Sequence, residues 1–266
     1  MQPHLTFVQI SDSHIGPSAD YDYHGFNSAR HLERAVETID AFPQPPDFVL
    51  HTGDVSVDRS AASYEVAADL LQRLRVPLFI VMGNHDDRAL LRRIFALPEH
   101  PSGEPDAPLD YTFDVKGERF VVLDGWNPAV ADPRGQLSDA QLEWLRQHTR
   151  PDGPPLTVAI HYPPFEMGSP WLDEHMLLTN GDAFHAALRP ARERLRAVLS
   201  GHLHRPSQIL RDGIAYISAP STVLHYAWLP WEERPFSEED TAPGYTLAQY
   251  FEHYTVVRQH SFARPD

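Results

Sequence analysis

The sequence predicts an α/β fold with two β-sheets. Through the first two thirds of the 266 residues, short runs rich in β-branched and aromatic residues alternate with stretches of helical periodicity, a rhythm typical of βα units. The last third contains mainly strand-like runs, which indicates a second, mixed sheet. Because none of the Pro-rich loops is long enough to link two domains, we expect a single domain over residues 1–266.

Each predicted element follows from its local pattern. Apolar runs predict strands at 5–10, 47–51, 77–82, 119–123, 156–160 and 197–199, with further strands at 207–211, 214–218 and a hairpin-forming stretch at 245–259. Helical periodicity predicts helices at 27–42, 60–74, 86–97 and 138–148, and a Pro-rich loop is expected at 98–108. Ser60 is a candidate N-cap, and Ser138 with Gln141 has the spacing of a capping box.

The composition excludes several classes of protein. Lys and Arg number 22 against 37 Asp and Glu, a formal charge of −15, so we expect neither a nucleic-acid nor a membrane partner. No apolar run approaches about 18 residues, and the first residues lack the pattern of a signal peptide, so a cytoplasmic location is expected. The chain has no cysteine, so a metal site would have to use His, Asp, Glu or Asn.

Five polar blocks each begin where a predicted strand ends. They lie at 12–14 (DSH), 53–54 (GD), 83–86 (GNHD), 161–164 (HYPP) and 201–204 (GHLH). In an open α/β sheet the loops at the carboxyl ends of the strands meet at one crevice, so the five blocks are expected to form one site.

The residue types in these blocks suit transition metals. Asp12 and His14 are two residues apart, as are His202 and His204, so each pair can project to one side of an extended backbone and chelate an ion. Mixed carboxylate, imidazole and amide ligands favour Zn, Mn, Fe or Co over Ca or Mg. The ligands exceed the needs of one tetrahedral site, which predicts two metal ions.

In this order, the five blocks resemble those of the calcineurin-like binuclear metallophosphoesterases, over roughly residues 6–205. The stretches GNHDD, HYPP, SPWLDEH, SAPSTV and APGY are further similar to the bacterial class III cyclic-nucleotide phosphodiesterases and the related glycerophosphodiesterases. This resemblance implies a four-layer α/β/β/α sandwich. It also implies that residues 205–266 complete the second sheet, form the rim of the active site and provide contacts for a possible homodimer.

The resemblance carries ligand roles to matching positions of this sequence. One metal would be held by Asp12, His14, Asp54 and His204, and the other by Asp54, Asn84, His161 and His202, so that Asp54 bridges. His85 matches the residue that contacts the phosphate and protonates the leaving oxygen. Asp86 is expected to orient His85 or to cap the following helix. Tyr162 departs from the family, which often has a second histidine there, so one possible supporting imidazole is absent.

The implied catalytic residues are His85, Asn84 and Asp54. In the family mechanism a metal-bridging hydroxide attacks phosphorus in line, and His85 protonates the departing alkoxide. Two divalent ions, offset by two aspartates and one hydroxide, leave a net charge of about +1, which complements a singly charged phosphodiester. Four weaker candidates for substrate contact are His24, Phe26, Trp171 and His225, each of which could instead serve loop packing.

The predicted function is metal-dependent hydrolysis of small phosphodiesters, with 3′,5′-cyclic AMP the favoured substrate on the strength of the resemblance. The alternative is a broad phosphodiesterase or glycerophosphodiesterase with incidental cyclic-nucleotide activity. A nuclease is disfavoured because the sequence has no basic stripe interleaved with aromatic residues. A noncatalytic interaction module on the same scaffold is a remote alternative, since such proteins typically lose several ligands and every expected ligand is present here.

Overall fold

The computed structural model describes residues 2–98, 104 and 106–265, so the predicted loop at 98–108 lies partly outside the described residues. The strands of the described part are, in chain order, β1 Leu5–Ile10, β2 Asp22–Tyr23, β3 Phe26–Asn27, β4 Phe48–His51, β5 Leu78–Ile80, β6 Tyr111–Val115, β7 Glu118–Leu123, β8 Leu156–Ile160, β9 Leu195–Ser200, β10 Ser207–Arg211, β11 Ile214–Ser218, β12 His225–Ala227, β13 Phe236–Glu238, β14 Gly244–Tyr250 and β15 Thr255–Ser261. The helices are α1 Ser28–Asp40, α2 Ala61–Leu71, α3 Arg88–Phe95, α4 Asp139–His148, α5 Pro170–His175 and α6 Gly181–Leu188.

Two mixed sheets form the centre of the fold, as the sequence predicts. The first has the strand order β15-β14-β1-β4-β5, in which β1, β4 and β5 are parallel. The second has the order β10-β11-β9-β8-β7-β6, in which β7, β8, β9 and β11 are parallel and the two edge strands are antiparallel to their neighbours. The short strands pair as β2 with β3 and β12 with β13.

The expectation that residues 205–266 complete the second sheet is correct only for β10 and β11. The hairpin of β14 and β15 instead extends the first sheet, where Thr246 pairs with Gln9 of β1. A strand shows the same alternation of side chains whichever sheet it joins, so the local pattern of 245–259 does not identify its partner.

Helices cover the outer face of each sheet, giving the four-layer α/β/β/α sandwich. Apolar residues of α1 and α2 pack on the first sheet, and those of α4 and α6 pack on the second. Ser60 caps α2, and Ser138 forms the predicted capping box with Gln141 at α4. Two short helices, α5 and α6, were not predicted; they begin at Pro170 and Gly181. None of the helices in the described part of the chain has the length and apolar character needed to cross a membrane.

Buried aromatic rings join the inner faces of the two sheets. Phe7 stacks on Phe48 within the first sheet at 4.8 Å between ring centroids, and Phe120 of the second sheet meets both rings edge-on at 5.5 and 5.1 Å. A hydrogen bond of 2.7 Å between the hydroxyls of Thr157 and Tyr250 also crosses the interface. These contacts fix the position of one sheet against the other, and with it the loops that leave their ends.

A pair of carboxylates lies where β6 and β7 meet α4. Asp110 Oδ1 receives hydrogen bonds from the Asp124 N–H at 2.8 Å and from Gln141 Nε2 at 3.1 Å. Asp124 is buried and forms an ion pair with Arg88 at 2.6 Å. Burial, with a further contribution from the charge of Asp124, raises the pKa of Asp110 to about 7.

We expect Asp110→Asn to stabilise the protein at neutral pH. A folded-state pKa near 7 against an ordinary value of 3.8 means that wild type loses stability as the pH rises between those values. Asparagine keeps the oxygen that receives both hydrogen bonds and carries no charge. In urea unfolding, the free energy of unfolding of the variant should exceed that of wild type by about 1–2 kcal/mol at pH 8, since solvent partly screens the repulsion, and by much less at pH 4. A variant no more stable than wild type at pH 8 would contradict this.

Candidate metal centre

The seven predicted metal ligands all lie at the carboxyl ends of parallel strands. Asp12 and His14 follow β1, Asp54 follows β4, Asn84 follows β5, His161 follows β8, and His202 and His204 follow β9. Each is at most 5% exposed to solvent. The fold therefore brings together five segments that are far apart in the sequence, three from the first sheet and two from the second.

The backbone at these loops is strained. A left-handed conformation, with φ between 43° and 71°, is adopted by Asp12, His14, Asp54, His202 and His204. Asp and His tolerate this conformation better than most residues, but it still costs free energy and clusters at functional sites. These turns direct the side chains of the five residues into one space.

Two glycines allow the loops to approach each other closely. Gly53 has φ of 101°, and a Cβ there would lie 2.5 Å from His161 Nδ1. A Cβ on Gly83 would lie 2.2 Å from Asp54 Oδ1. Any larger residue at either position would displace a predicted ligand.

The ligand atoms form two groups that meet at Asp54. In the first, His204 Nε2 lies 2.9 Å from His14 Nε2 and 3.6 Å from Asp12 Oδ1. In the second, His161 Nε2 lies 3.0 Å from His202 Nδ1. Asp54 Oδ2 is 3.3 Å from His161 Nε2 and 3.7 Å from His14 Nε2, so it contacts both groups. This is the geometry expected for a carboxylate shared between two ions.

Backbone carbonyls orient two of the imidazoles. His161 Nδ1 contacts the Thr52 carbonyl at 2.7 Å, and His204 Nδ1 contacts the Leu224 carbonyl at 3.0 Å. Since a carbonyl only accepts, each Nδ1 carries a proton, which leaves Nε2 of each ring as the nitrogen that could bind a metal ion.

The ionisation of the cluster also favours bound cations. Burial raises the pKa of Asp12 to about 7. Burial alone would lower the pKa of His161, but the charge and hydrogen bond of Asp54, the charge of Asp12 and the hydrogen bond to Thr52 together outweigh burial and raise that pKa to about 9. Burial lowers the pKa of His204 to about 3. Protons therefore balance the charges of the protein alone, and metal ions bound by the same atoms would replace them.

The Asn84 amide is the remaining test of fit. Its Oδ1 is buried and has no hydrogen-bond partner in the part of the chain that the structure describes, and the same is true of His14 Nδ1. A buried carbonyl oxygen without a partner is costly unless a cation or water binds it. Together with the donor set of carboxylates, imidazoles and one amide, it fits a pair of transition-metal ions.

Asp86 was expected to orient His85 or to cap the following helix, and its position fits neither role. The residue that caps α3 is Asp87, whose side chain accepts the Leu90 N–H at 2.8 Å. Asp86 is instead buried beneath two ligand loops, where its carboxylate receives the N–H groups of Asp54 at 2.8 Å and Gly83 at 3.0 Å. It thereby ties the loop after β4 to the loop after β5.

His85 lies beside the first group. Its Nδ1 contacts the Val57 carbonyl at 2.9 Å, its backbone N–H donates to Asp54 Oδ1 at 2.8 Å, and its ring meets His14 edge-on at 4.9 Å. Ligand atoms of His14, Asp54 and His85 lie within 4.8 Å of one another. By position alone, His85 can thus serve either as a third metal-binding imidazole or as a proton donor.

A cavity of about 390 Å³ opens above the cluster. His14, Asp54, Asn84, His85, His202 and His204 line its polar side. The other lining residues are largely apolar and form the apolar wall, which includes Tyr23, Trp171, Leu172, Met176 and Tyr226, together with Arg234.

Of the four candidate substrate contacts, only Trp171 lines this cavity. His24 is exposed on the turn between β2 and β3, and Phe26 packs against Arg264 at 4.2 Å. His225 is buried and lines a separate cavity. Tyr23 was not among the predicted contacts, yet it lines the cavity and its ring stacks on His14 at 4.6 Å. In the two-residue strand β2, Asp22 is exposed and Tyr23 is buried, so position 23, and not 24, faces inward.

Tyr162 occupies the position where the family resemblance led us to expect a second histidine. Its buried ring lies 5.2 Å from His161 and 5.0 Å from His202, between centroids. Gly125 and Gly135 make room for it, since a Cβ on either would lie 2.6 Å from the ring. Tyr162 therefore packs against two predicted ligands of the second group.

Comparison with known proteins agrees with this geometry. The family model for calcineurin-like phosphoesterases matches residues 5–206. A 3′,5′-cyclic adenosine monophosphate phosphodiesterase, CpdA, of Pseudomonas aeruginosa is 34% identical over 91% of this chain and 84% of its own length. A cAMP/cGMP dual specificity phosphodiesterase of Mycobacterium tuberculosis is 32% identical over 83% of this chain and 68% of its own length. The crystal structure of a dimetal phosphatase from Danio rerio superposes with a TM-score of 0.71 at 17% identity, covering 98% of this chain and 97% of the other. The chain therefore belongs to the calcineurin-like phosphoesterase family.

Proposed function

We propose that this protein hydrolyses small phosphodiesters with two bound metal ions, and that its favoured substrate is 3′,5′-cyclic AMP. The observation that carries the proposal is the sharing of Asp54 by two buried ligand groups at the floor of a cavity with an apolar wall. The name of the Pseudomonas relative, a cyclic AMP phosphodiesterase, supports the choice of substrate.

The residues would divide between two ions of Fe, Mn, Zn or Co. One ion would be held by Asp12, His14, Asp54 and His204, and the other by Asp54, Asn84, His161 and His202. Such a pair would lower the pKa of bound water and neutralise charge on the phosphate oxygens. The protein fixes the spacing of the ligands and keeps their charges away from bulk solvent.

His85 would donate a proton to the leaving alkoxide. The Val57 carbonyl holds its Nδ1–H, so Nε2 is the nitrogen that can deliver the proton. Its backbone contact with Asp54 ties the ring to the predicted bridging ligand. General acid catalysis of this kind is worth about 10²–10⁴ in rate.

The shape of the cavity supports a small substrate with one planar, apolar part. Its volume of about 390 Å³ is in the range of small-molecule sites. Trp171, Leu172 and Met176 offer a surface on which a nucleobase could stack, whereas a glycerophosphodiester has no such group to bury. The net charge of −15 disfavours long polyanions. We further propose that the chain acts as one domain, alone or as a homodimer, in the cytoplasm.

A substrate panel tests the proposal directly. For Mn-reconstituted protein, we expect a higher kcat/KM for cyclic AMP than for glycerophosphoethanolamine, with bis(p-nitrophenyl) phosphate also cleaved. Asn84→Ala should lower kcat/KM for every diester by at least about 100-fold because a ligand is lost, whereas His253→Ala, at an exposed turn, should have no effect. Cleavage of the other diesters without cyclic AMP would favour the broad-specificity alternative. If metal-loaded protein cleaves none of them, the noncatalytic module becomes the better hypothesis.

His85→Ala separates the two roles that the position of His85 allows. If His85 is the proton donor, the variant should bind two Mn ions as wild type does, while kcat for cyclic AMP falls by about 10²–10⁴. Activity on bis(p-nitrophenyl) phosphate should fall less, because nitrophenolate leaves readily without a proton. Binding of only one Mn ion would instead identify His85 as a ligand.

Trp171→Ala tests the apolar wall. Because base stacking on an aromatic ring is worth about 1–3 kcal/mol, KM for cyclic AMP should rise about 10-fold with little change in kcat. The matched control is His24→Ala, since His24 lies outside the cavity and should leave KM unchanged. Equal KM values for the Trp171 variant and wild type would remove Trp171 from the substrate site.

A further inference from the structure

Arg59 has an unusual backbone conformation in the loop that follows Asp54. Its φ is 58°, in the left-handed region. Asn, Asp, His and Gly account for most residues in that region, and a long side chain such as arginine gains nothing locally from it. A strained residue of this kind persists when its surroundings determine its conformation.

Hydrogen bonds connect both the backbone and the side chain of Arg59 to the loop that contains Asn84 and His85. The guanidinium donates a hydrogen bond from Nη2 to the Asn84 carbonyl oxygen. The Arg59 N–H donates to Ser56 Oγ at 3.2 Å, and that hydroxyl in turn donates to the His85 carbonyl at 2.9 Å. Arg59 thereby connects the two loops next to the metal cluster on the side facing solvent, whereas Asp86 connects them from below.

Trp126 provides a fixed surface for the guanidinium. The Arg59 guanidinium lies over the indole ring at 5.1 Å, and Arg88 lies over the same ring at 4.9 Å. Arg88 is itself held by the buried carboxylate of Asp124 at 2.6 Å and by the Trp126 carbonyl at 2.7 Å. The ring is therefore anchored to the second sheet. By stacking on this ring, Arg59 connects the Asn84 loop of the first sheet to the second sheet.

This arrangement matters because, among the described residues, no hydrogen bond to the Asn84 amide oxygen fixes the direction of the side chain. Its amide oxygen is buried without a hydrogen-bond partner among the described residues, so its direction depends on the backbone that carries it. The Arg59 contact is to the carbonyl of that same residue. We propose that Arg59, stacked on Trp126, is a positioning residue that holds Asn84 toward the second metal ion. This inference rests on the proposed function, in which Asn84 is a ligand.

Metal titration of three variants tests the proposal. Mn is titrated calorimetrically into metal-free wild type, Arg59→Gly, Arg59→Ala and Arg59→Lys, with Asn84→Ala as the reference for a lost ligand. We expect Arg59→Gly and Arg59→Ala to weaken one of the two Mn sites about 10-fold, the same site that Asn84→Ala weakens, and to leave the other site unchanged. Lysine can donate to the Asn84 carbonyl but cannot stack as a plane, so its effect should be intermediate.

Thermal unfolding of the metal-free variants separates positioning from a general structural role. Glycine relieves the left-handed strain while it removes the stacked side chain, so the Tm of Arg59→Gly should stay within about 3 °C of wild type despite its weaker Mn site. Ala96→Gly is the matched control, because Ala96 has φ of 51° at the exposed end of α3, and it should leave both Mn sites unchanged. A fall in Tm of Arg59→Gly together with weakening of both Mn sites would overturn the proposal.

A double-mutant cycle tests the role of the indole ring. Trp126→Ala should weaken the same Mn site. The double variant with Arg59→Ala should bind Mn at that site no more weakly than the weaker of the two single variants, because both substitutions remove the same interaction. Wild-type affinity at both sites in the Arg59 variants would overturn the positioning role while leaving the metal centre intact. Failure of wild type to bind two Mn ions would overturn both this inference and the proposed function.

Discussion

The structure depends on the burial of ionisable groups at the junction of two sheets. The carboxylates of Asp12 and Asp54 share a nearly solvent-free space with four imidazoles, and such groups are costly to bury unless each finds a partner of opposite charge. Protons on Asp12 and His161 supply part of that balance in the protein alone, as their raised pKa values of about 7 and about 9 indicate. Cations would supply it more fully, because they can contact several ligands at once.

The rest of the fold holds these groups in place against their mutual repulsion. Carbonyls of Thr52 and Leu224 fix the orientation of two imidazoles, and Asp86 receives backbone N–H groups from two ligand loops. Neither ligand group belongs to one sheet, since the first joins residues after β1 to His204 after β9 and the second joins Asp54 to residues after β8 and β9. The aromatic contacts between the sheets therefore support the metal centre indirectly, because any shift of one sheet against the other would separate the ligands. Metal binding should in turn stabilise the packing of the sheets.

Much of the site could be predicted from the sequence because its residues come in short blocks at strand ends. The rule that such loops converge is enough to bring Asp12 and His202 together, although 190 residues separate them. The choice of strand partner for β14 could not be predicted, since its alternation suits either sheet. The contact between Arg59 and Trp126 could not be predicted either, because it depends on the orientation of two loops from different sheets. The sequence pattern led to His24 and Phe26, which lie one and three residues after Tyr23 on the same tight turn, and not to Tyr23 itself.

Membership of the calcineurin-like phosphoesterases is established by the match over residues 5–206, and the pair of metal ions is the central claim about this chain. Anomalous X-ray diffraction from crystals of the Mn-loaded protein tests that claim most directly. We predict two anomalous peaks about 3.5–4 Å apart, one beside His14 and His204 and the other beside His161 and His202, with Asp54 between them. A single peak, or peaks away from these residues, would contradict a binuclear centre.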